Sequence, residues 1–312
     1  MILVTGGLGF IGLHTARALI DEGEQVVLTQ YRVPREPGFI KGEIGKNAFI
    51  EQLDVTDAGR LAEIGRKHRI TGIVHLAVPG LGALSAAEDY NVNMTGLINI
   101  LEAGREWECK RIGLASSQAI YAGVQQGPFK EDMPLRIMGQ SPTETFKKSF
   151  EILGTHYAQR TGAEVVMLRI GGIYGPLYHS MANLASRLVH AAVNGEAPTM
   201  RGETFAEDGG DICYVKDCGK GVALLMTADK LTYRCYNVGT GQATKNKELV
   251  GAIQKQVPDF KVDLKEGAGP SNRPNSFMDI SRIQEDTSYK PQFLVEKSIP
   301  DYVGWLRAGN AE

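Results

Sequence analysis

"VTGGLGFIG", residues 4–12, decides the fold. It sets Gly6, Gly9 and Gly12 at intervals of three, directly after the β-branched run ILVT (2–5). An amphipathic stretch follows, in which Ile11, Thr15, Ala18 and Leu19 recur at i, i+4, i+7 and i+8, and Gly23 is placed to stop it. A glycine turn between a strand and a helix lets the backbone come close to a pyrophosphate. The first helical turn then offers free N–H groups and the positive end of the helix dipole. Gly6, Gly9, Phe10, Ile11 and Gly12 are therefore expected to cradle a dinucleotide.

Outward from this turn, short apolar runs alternate with longer amphipathic stretches: QVVLT (25–29), AFIEQLD (48–54), GIVHLA (72–77), RIGLAS (111–116) and VVMLRI (165–170). Runs apolar throughout suit strands covered on both faces, and strand–helix alternation predicts a doubly wound parallel α/β Rossmann sheet. After about residue 175 the alternation becomes irregular. A helix is expected over 179–198, a strand ending in a glycine turn over 234–241, a loop over 266–276 and a last helix over 296–307. Residues 1–173 are read as the dinucleotide-binding domain, with a returning segment near 205–242. Residues 174–312 are read mainly as a smaller, interleaved substrate lobe.

The second run leads into LTQYRVPR, with Gln30 where an NAD site usually carries an acid for the adenosine ribose. Arg32 and Arg35 follow, and a guanidinium there can pair with a 2′-phosphate. The coenzyme is thus expected to be NADP or NAD, with NADP favoured. Asp54 is placed to accept from the adenine amino group, with Val55 beside it.

The rest of the composition mostly excludes. A net charge of −2 on 312 residues gives no electrostatic reason to bind nucleic acid or an anionic membrane. No apolar run approaches the roughly 20 residues that span a bilayer, and no leader is expected ahead of the first strand. The four cysteines and six histidines form no metal-ligand spacing. A reduced cytoplasmic compartment and a small-molecule substrate are expected.

With these features in order, the chain resembles the extended short-chain dehydrogenase/reductases of the NAD-dependent epimerase/dehydratase type. The resemblance runs through HLA (75–77), NVNMTG (91–96), LASSQAIYA (114–122), LRIGGIYGP (168–176), DICYVKD (211–217), YNVGTG (236–241) and RPNSFMDISRIQEDTSYKP (273–291). It implies that Ser117 hydrogen-bonds the reacting oxygen and that Lys147 holds the nicotinamide ribose. It implies that Asn93 organises the backbone near that lysine. Leu76, Ala77 and Ile173 are expected to line the coenzyme path. A homodimer built on helices near 85–106 and 141–160 is also implied.

One departure stands out. The family's catalytic pair is Tyr-x-x-x-Lys, and in SPTETFKKSFE (141–151) the tyrosine position holds Thr143. None of the eleven tyrosines has a lysine four residues later. Thr143 and Lys147 still share one helix face, whereas the neighbouring Lys148 reads as solvated. An aliphatic hydroxyl is a much weaker acid than a phenol of pKa about 10. Three replacements suggest themselves: a water between Thr143 and Lys147, Tyr121 or Tyr174 swinging in from strand-end loops, or Ser117 acting on a substrate that needs little acid help. Gln118 and Ala119 supply no carboxylates for dehydration. Gly210 stands where relatives often carry a cation before Asp211, so Arg201 and Arg273 are the candidates for an anionic group. The expected function is NAD(P)-dependent hydride transfer on a carbonyl or alcohol of a polar small molecule. The alternatives are an epimerase with tightly held NAD, or a dinucleotide-binding protein whose catalysis is impaired, by nature or by design.

Overall fold

A computed structural model describes residues 1–32, 37–78 and 84–310. Arg35, a candidate phosphate partner, lies outside the described residues. The first half of the chain runs β1 (Ile2–Thr5), α1 (Phe10–Asp21), β2 (Val26–Gln30), β3 (Ala48–Gln52), α2 (Ala58–Lys67), β4 (Gly72–His75), α3 (Ala86–Glu106), β5 (Arg111–Ser117), α4 (Pro142–Thr161) and β6 (Val165–Ile170). There follow β7 (Gly172–Tyr174), α5 (Leu184–Asn194), β8 (Gly209–Gly210), β9 (Ile212–Tyr214), α6 (Val215–Thr227), β10 (Cys235–Val238), β11 (Thr244–Lys245), α7 (Asn246–Gln256), α8 (Ser281–Asp286) and α9 (Val295–Arg307).

Among the described residues, seven strands form one parallel sheet in the order β10-β6-β5-β4-β1-β2-β3. Leu3 pairs with Val27 on one side and Ile73 on the other. Strands β1, β4 and β6 are buried at every residue, which is why they read as unbroken apolar runs. Helices α1 and α6 cover one face, through a core that joins Leu19 and Val222 to Val4 and Leu168. On the other face, α3 and α4 bring Leu97, Ile100 and Phe150 against Leu3, Ile73 and Leu114. The strand order reverses between β1 and β4. In open α/β sheets the crevice beyond the strand C-termini at such a reversal is where ligands bind.

Beyond β6 the expectations hold less evenly. The helix expected over 179–198 begins only at Leu184, because Asn183 caps it and accepts from the Ser186 N–H at 2.8 Å. Residues before it form a loop in which Leu177 and Met181 take positive φ values of 74° and 48°. A second core, with Tyr174, Leu188, Ile253, Ile299 and Tyr302, packs α5, α7 and α9 together. No described helix is long and apolar enough to cross a membrane.

Candidate active site

The cradle has the shape the glycines require. Gly6 sits at φ +65°, and its carbonyl accepts from the Gly9 N–H at 2.9 Å. A Cβ on Gly12 would come 2.4 Å from that same carbonyl oxygen, so only glycine keeps the turn closed. Helix α1 starts at Phe10 with no side-chain cap. Its first-turn amides are available to a ligand.

Two cavities open from this turn. One, of about 410 Å³, is lined by Gly6, Gly9, Phe10, Ile11, Gly12, Leu76, Ile173, Ser117, Thr143 and Lys147, with Tyr178 and Val78 among the others. The other, of about 420 Å³, is lined by Gly6, Arg32, Asp54, Val55 and Ala77, together with Tyr31, Leu84 and Val92. The residues expected from the sequence at the two ends of the coenzyme thus line neighbouring spaces that share Gly6.

Ser117 ends β5 and accepts from the Ala119 N–H at 3.1 Å, which fixes its hydroxyl at the head of a short 3-10 turn. Its neighbour Ser116 donates to Glu151 at 2.5 Å, and Glu151 pairs with Arg169 at 2.8 Å. Ser141 caps α4 by accepting from Glu144 N–H, and Pro142 occupies the first turn. This helix start puts Thr143 at the cavity and Lys147 one turn further along.

Lys147 is 5% exposed, and no carboxylate pairs with it among the described residues. Its ammonium lies 5.0 Å from the centre of the Phe150 ring. Burial lowers its pKa to about 8. His75 beside it is held neutral, at about 3, by burial and by the lysine charge. Its Nδ1 meets the Thr5 hydroxyl at 2.7 Å. A buried ammonium without a counter-charge, facing a cavity closed at its far end by a glycine cradle, fits the hydroxyls of a bound nucleotide ribose.

Several expected residues are elsewhere. Tyr121 does not line the cavity. It is 1% exposed, its ring stacks on Phe129, and its hydroxyl donates to Asn237 at 2.8 Å while accepting from Arg169. Burial raises its pKa, and its ring and hydroxyl are held away from the cavity by Phe129, Asn237 and Arg169. Tyr174 is equally fixed, against Ser298 and the Tyr214 ring. Lys148 is not solvated: it donates to the buried Glu144 at 2.7 Å. Burial alone would raise the Glu144 pKa, but Lys148, the Gln140 N–H and Arg136 bring it down to about 2.

Asn93 is buried outside both cavities, donating to the Asp89 carbonyl at 2.7 Å while its Oδ1 has no partner. Gln30 ends β2 without lining either space. Asp54 accepts from the Thr56 N–H and hydroxyl, so it caps a turn as well as lining the second cavity. Arg32 donates to the Tyr31 hydroxyl at 2.9 Å and lies over that ring. Arg273 is turned inward, donating to the Tyr121 and Val124 carbonyls.

Sequence reasoning missed Tyr178. Its ring packs on Phe10 with centroids 4.9 Å apart. Among the described residues it is the one tyrosine lining the cavity with Ser117 and Lys147. Nothing in its sequence surroundings, GPLYHS, marks it; the turn at Leu177 brings it inward.

The profile of the NAD dependent epimerase/dehydratase family matches residues 2–239. The chain belongs to that family. Among curated members of the epimerase/dehydratase family, it is 26% identical to UDP-glucose 4-epimerase 4 of Oryza sativa subsp. japonica, over 97% of this chain and 89% of that protein. The crystal structure of a UDP-glucose 4-epimerase with UDP-glucose from Thermotoga maritima superposes with a TM-score of 0.83, at 25% identity, covering 99% of both chains. A Thermus thermophilus UDP-glucose 4-epimerase in complex with NAD gives 0.76, at 25% identity, covering 98% of both chains. The protein is an NAD-dependent enzyme of the extended short-chain dehydrogenase/reductase type. These likenesses point to NAD and lend no support to the NADP preference read from Gln30 and Arg32.

Proposed function

We propose that this protein interconverts an alcohol and a carbonyl on a polar, sugar-like small molecule by hydride transfer with NAD bound across the two cavities. The observation that carries the proposal is the single wall on which the glycine cradle, Ser117, Thr143 and the unpaired Lys147 meet. NAD is favoured over NADP because the family is NAD dependent and because Arg32 is engaged with Tyr31.

When bound, the coenzyme supplies the hydride acceptor or donor. Lys147 holds the ribose hydroxyls, and its charge stabilises an alkoxide on the substrate. Ser117 hydrogen-bonds the reacting oxygen from the end of β5. The proton passes through Tyr178, whose hydroxyl has no hydrogen-bond partner among the described residues. Thr143 borders the reacting end, with a hydroxyl too short and too weakly acidic to replace a phenol.

A second, redox-neutral reading is favoured by the relatives, which are named UDP-glucose 4-epimerases. In that reading the coenzyme is reduced and reoxidised without leaving. The purified protein, denatured and analysed for released NAD or NADP, then assayed at 340 nm and for sugar inversion against nucleotide sugars and polyols, separates these outcomes. A protein that neither retains nor binds either coenzyme would remove the proposal.

We also propose that the protein is a homodimer through α3 and α4. Tyr90, Ile98, Ile152 and Leu153 are 44–65% exposed on these adjacent helices, flanking an apolar groove of about 430 Å³. Contiguous exposed apolar surface of this kind marks an interface.

A further inference from the structure

Phe10 and His14 stand one turn apart on α1, just past the glycine cradle, and both reach the segment that carries Tyr178. The Phe10 ring packs on Tyr178 with centroids 4.9 Å apart. His14 is buried, and its Nε2 meets the Pro176 carbonyl at 3.1 Å. A carbonyl only accepts, so this nitrogen carries the hydrogen and donates it. Burial, the largest influence, lowers the His14 pKa to about 4 against the opposing pull of the Pro176 carbonyl. The ring is therefore neutral near pH 7, in one tautomer. Its orientation is set as well. Phe39 tilts over the imidazole at 4.6 Å, and Phe10 meets it nearly at a right angle at 6.2 Å. The backbone beneath has no room to shift towards α6, where a Cβ on Gly219 would come 2.6 Å from the His14 carbonyl oxygen.

What His14 holds is the root of a turn. Pro176 is buried, Leu177 takes a φ of 74°, and Tyr178 emerges half-buried at the coenzyme cavity. His179 and Ser180 beyond it are exposed, and Asn183 fastens the far end by donating to the Ile173 carbonyl at 2.7 Å. Left-handed backbone is disfavoured for leucine, so the turn needs support on each side. Pro176 has no amide hydrogen, which leaves its carbonyl as the backbone atom a neighbour can grip. The Tyr178 hydroxyl has no hydrogen-bond partner among the described residues, so the place of the phenol is set by its backbone and by its ring contact with Phe10.

We propose that His14 is a positioning residue: through the Pro176 carbonyl it fixes where the Tyr178 phenol stands in the cavity that holds Ser117 and Lys147. The same helix that receives the coenzyme at its N-terminus thereby aligns the proton-transferring group across the cavity. The inference rests on the role proposed for Tyr178, but the placement can be read without it.

The experiment is fluorine NMR of the NAD-loaded protein made with fluorotyrosine, in which the Tyr178 signal is the one missing from Tyr178→Phe. His14→Phe keeps an aromatic ring against Phe39 and removes the N–H. The Tyr178 signal should move, and turnover should fall about tenfold, the scale of one lost hydrogen bond. His14→Gln puts an amide N–H where Nε2 stands and should return both towards wild type. In the Tyr178→Phe background, His14→Phe should cost nothing further, because two residues acting through one group are not additive. A Tyr178 signal unmoved by His14→Phe overturns the proposal. So does a loss of turnover as large with Tyr178→Phe as without it, or a His14→Gln variant as impaired as His14→Phe. If His14→Phe does not fold, Leu177→Gly replaces it. Glycine accepts the left-handed backbone and loosens the link between Pro176 and Tyr178, so the same signal should move and turnover should fall; no change in either overturns the proposal. Tyr178→Phe with unchanged turnover removes the proton role from the proposed function, and the fluorine signal still decides the positioning.

Discussion

The Lys147 ammonium rests 5.0 Å from the centre of the Phe150 ring, in a buried wall where no carboxylate answers it. That arrangement costs stability in the absence of coenzyme. Lys147→Met should therefore stabilise the coenzyme-free protein, by on the order of 2 kcal/mol near neutral pH, and weaken NAD binding. The sign follows from the pKa of about 8 in the folded chain against the ordinary lysine value of 10.5. Between these values the unfolded chain holds the extra proton, so deprotonation favours the fold as pH rises. The stability gap between variant and wild type should narrow from pH 8 to pH 10.5. Chemical denaturation of both proteins across that range measures it, and a constant gap would contradict the assignment.

Tyr178 is the second test. Tyr178→Phe keeps the ring on Phe10 and removes only the hydroxyl, so NAD affinity should hold while turnover falls about 10²-fold, the lower range for a lost general acid. Thr143→Tyr should raise turnover in the Tyr178→Phe background, because it returns a phenol to the helix turn below Lys147. Single-turnover rates at 340 nm for the four combinations decide this; an unchanged rate in Tyr178→Phe rules Tyr178 out.

Gly12→Ala forces a methyl group to within 2.4 Å of the Gly6 carbonyl oxygen, a backbone atom that cannot step aside. The expected result is a destabilisation of about 1–3 kcal/mol and loss of NAD binding. Thermal melts with and without NAD show both, since the variant should gain no stability from added coenzyme.

Ile152 is 64% exposed on α4. Ile152→Glu should convert a dimer to a monomer at micromolar concentration while leaving the thermal stability of the monomer within about 0.5 kcal/mol. Sedimentation velocity gives the answer, and a wild-type protein that sediments as a monomer contradicts the interface.

Much of the first half was legible because local and global signals agree there. VTGGLGFIG implies a strand, a turn and a helix at once, and all three form. Ser117, Thr143 and Lys147 also meet as expected, since strand β5 and helix α4 are set by apolar pattern and by the Ser141–Pro142 start. Tyr121 was misjudged for the opposite reason. Its fate is decided by the nearby Phe129 together with Arg169 and Asn237, residues far along the chain whose convergence no local pattern reveals. Lys148 was misjudged for the same kind of reason: Glu144 at i−4 was visible, but its burial beside Arg136 was not. Tyr178 depends on two non-glycine residues in left-handed backbone, which sequence rules assign against.

The placement of β10 alongside β6 has a consequence for any attempt to divide this molecule. A chain cut after residue 173 would lose the strand that closes that margin, leaving a largely apolar ribbon with open backbone valences. Such a fragment should polymerise, visible as light scattering on refolding. The late polypeptide thus works as a stitch through the early one, and the nucleotide half cannot be harvested as a free-standing module.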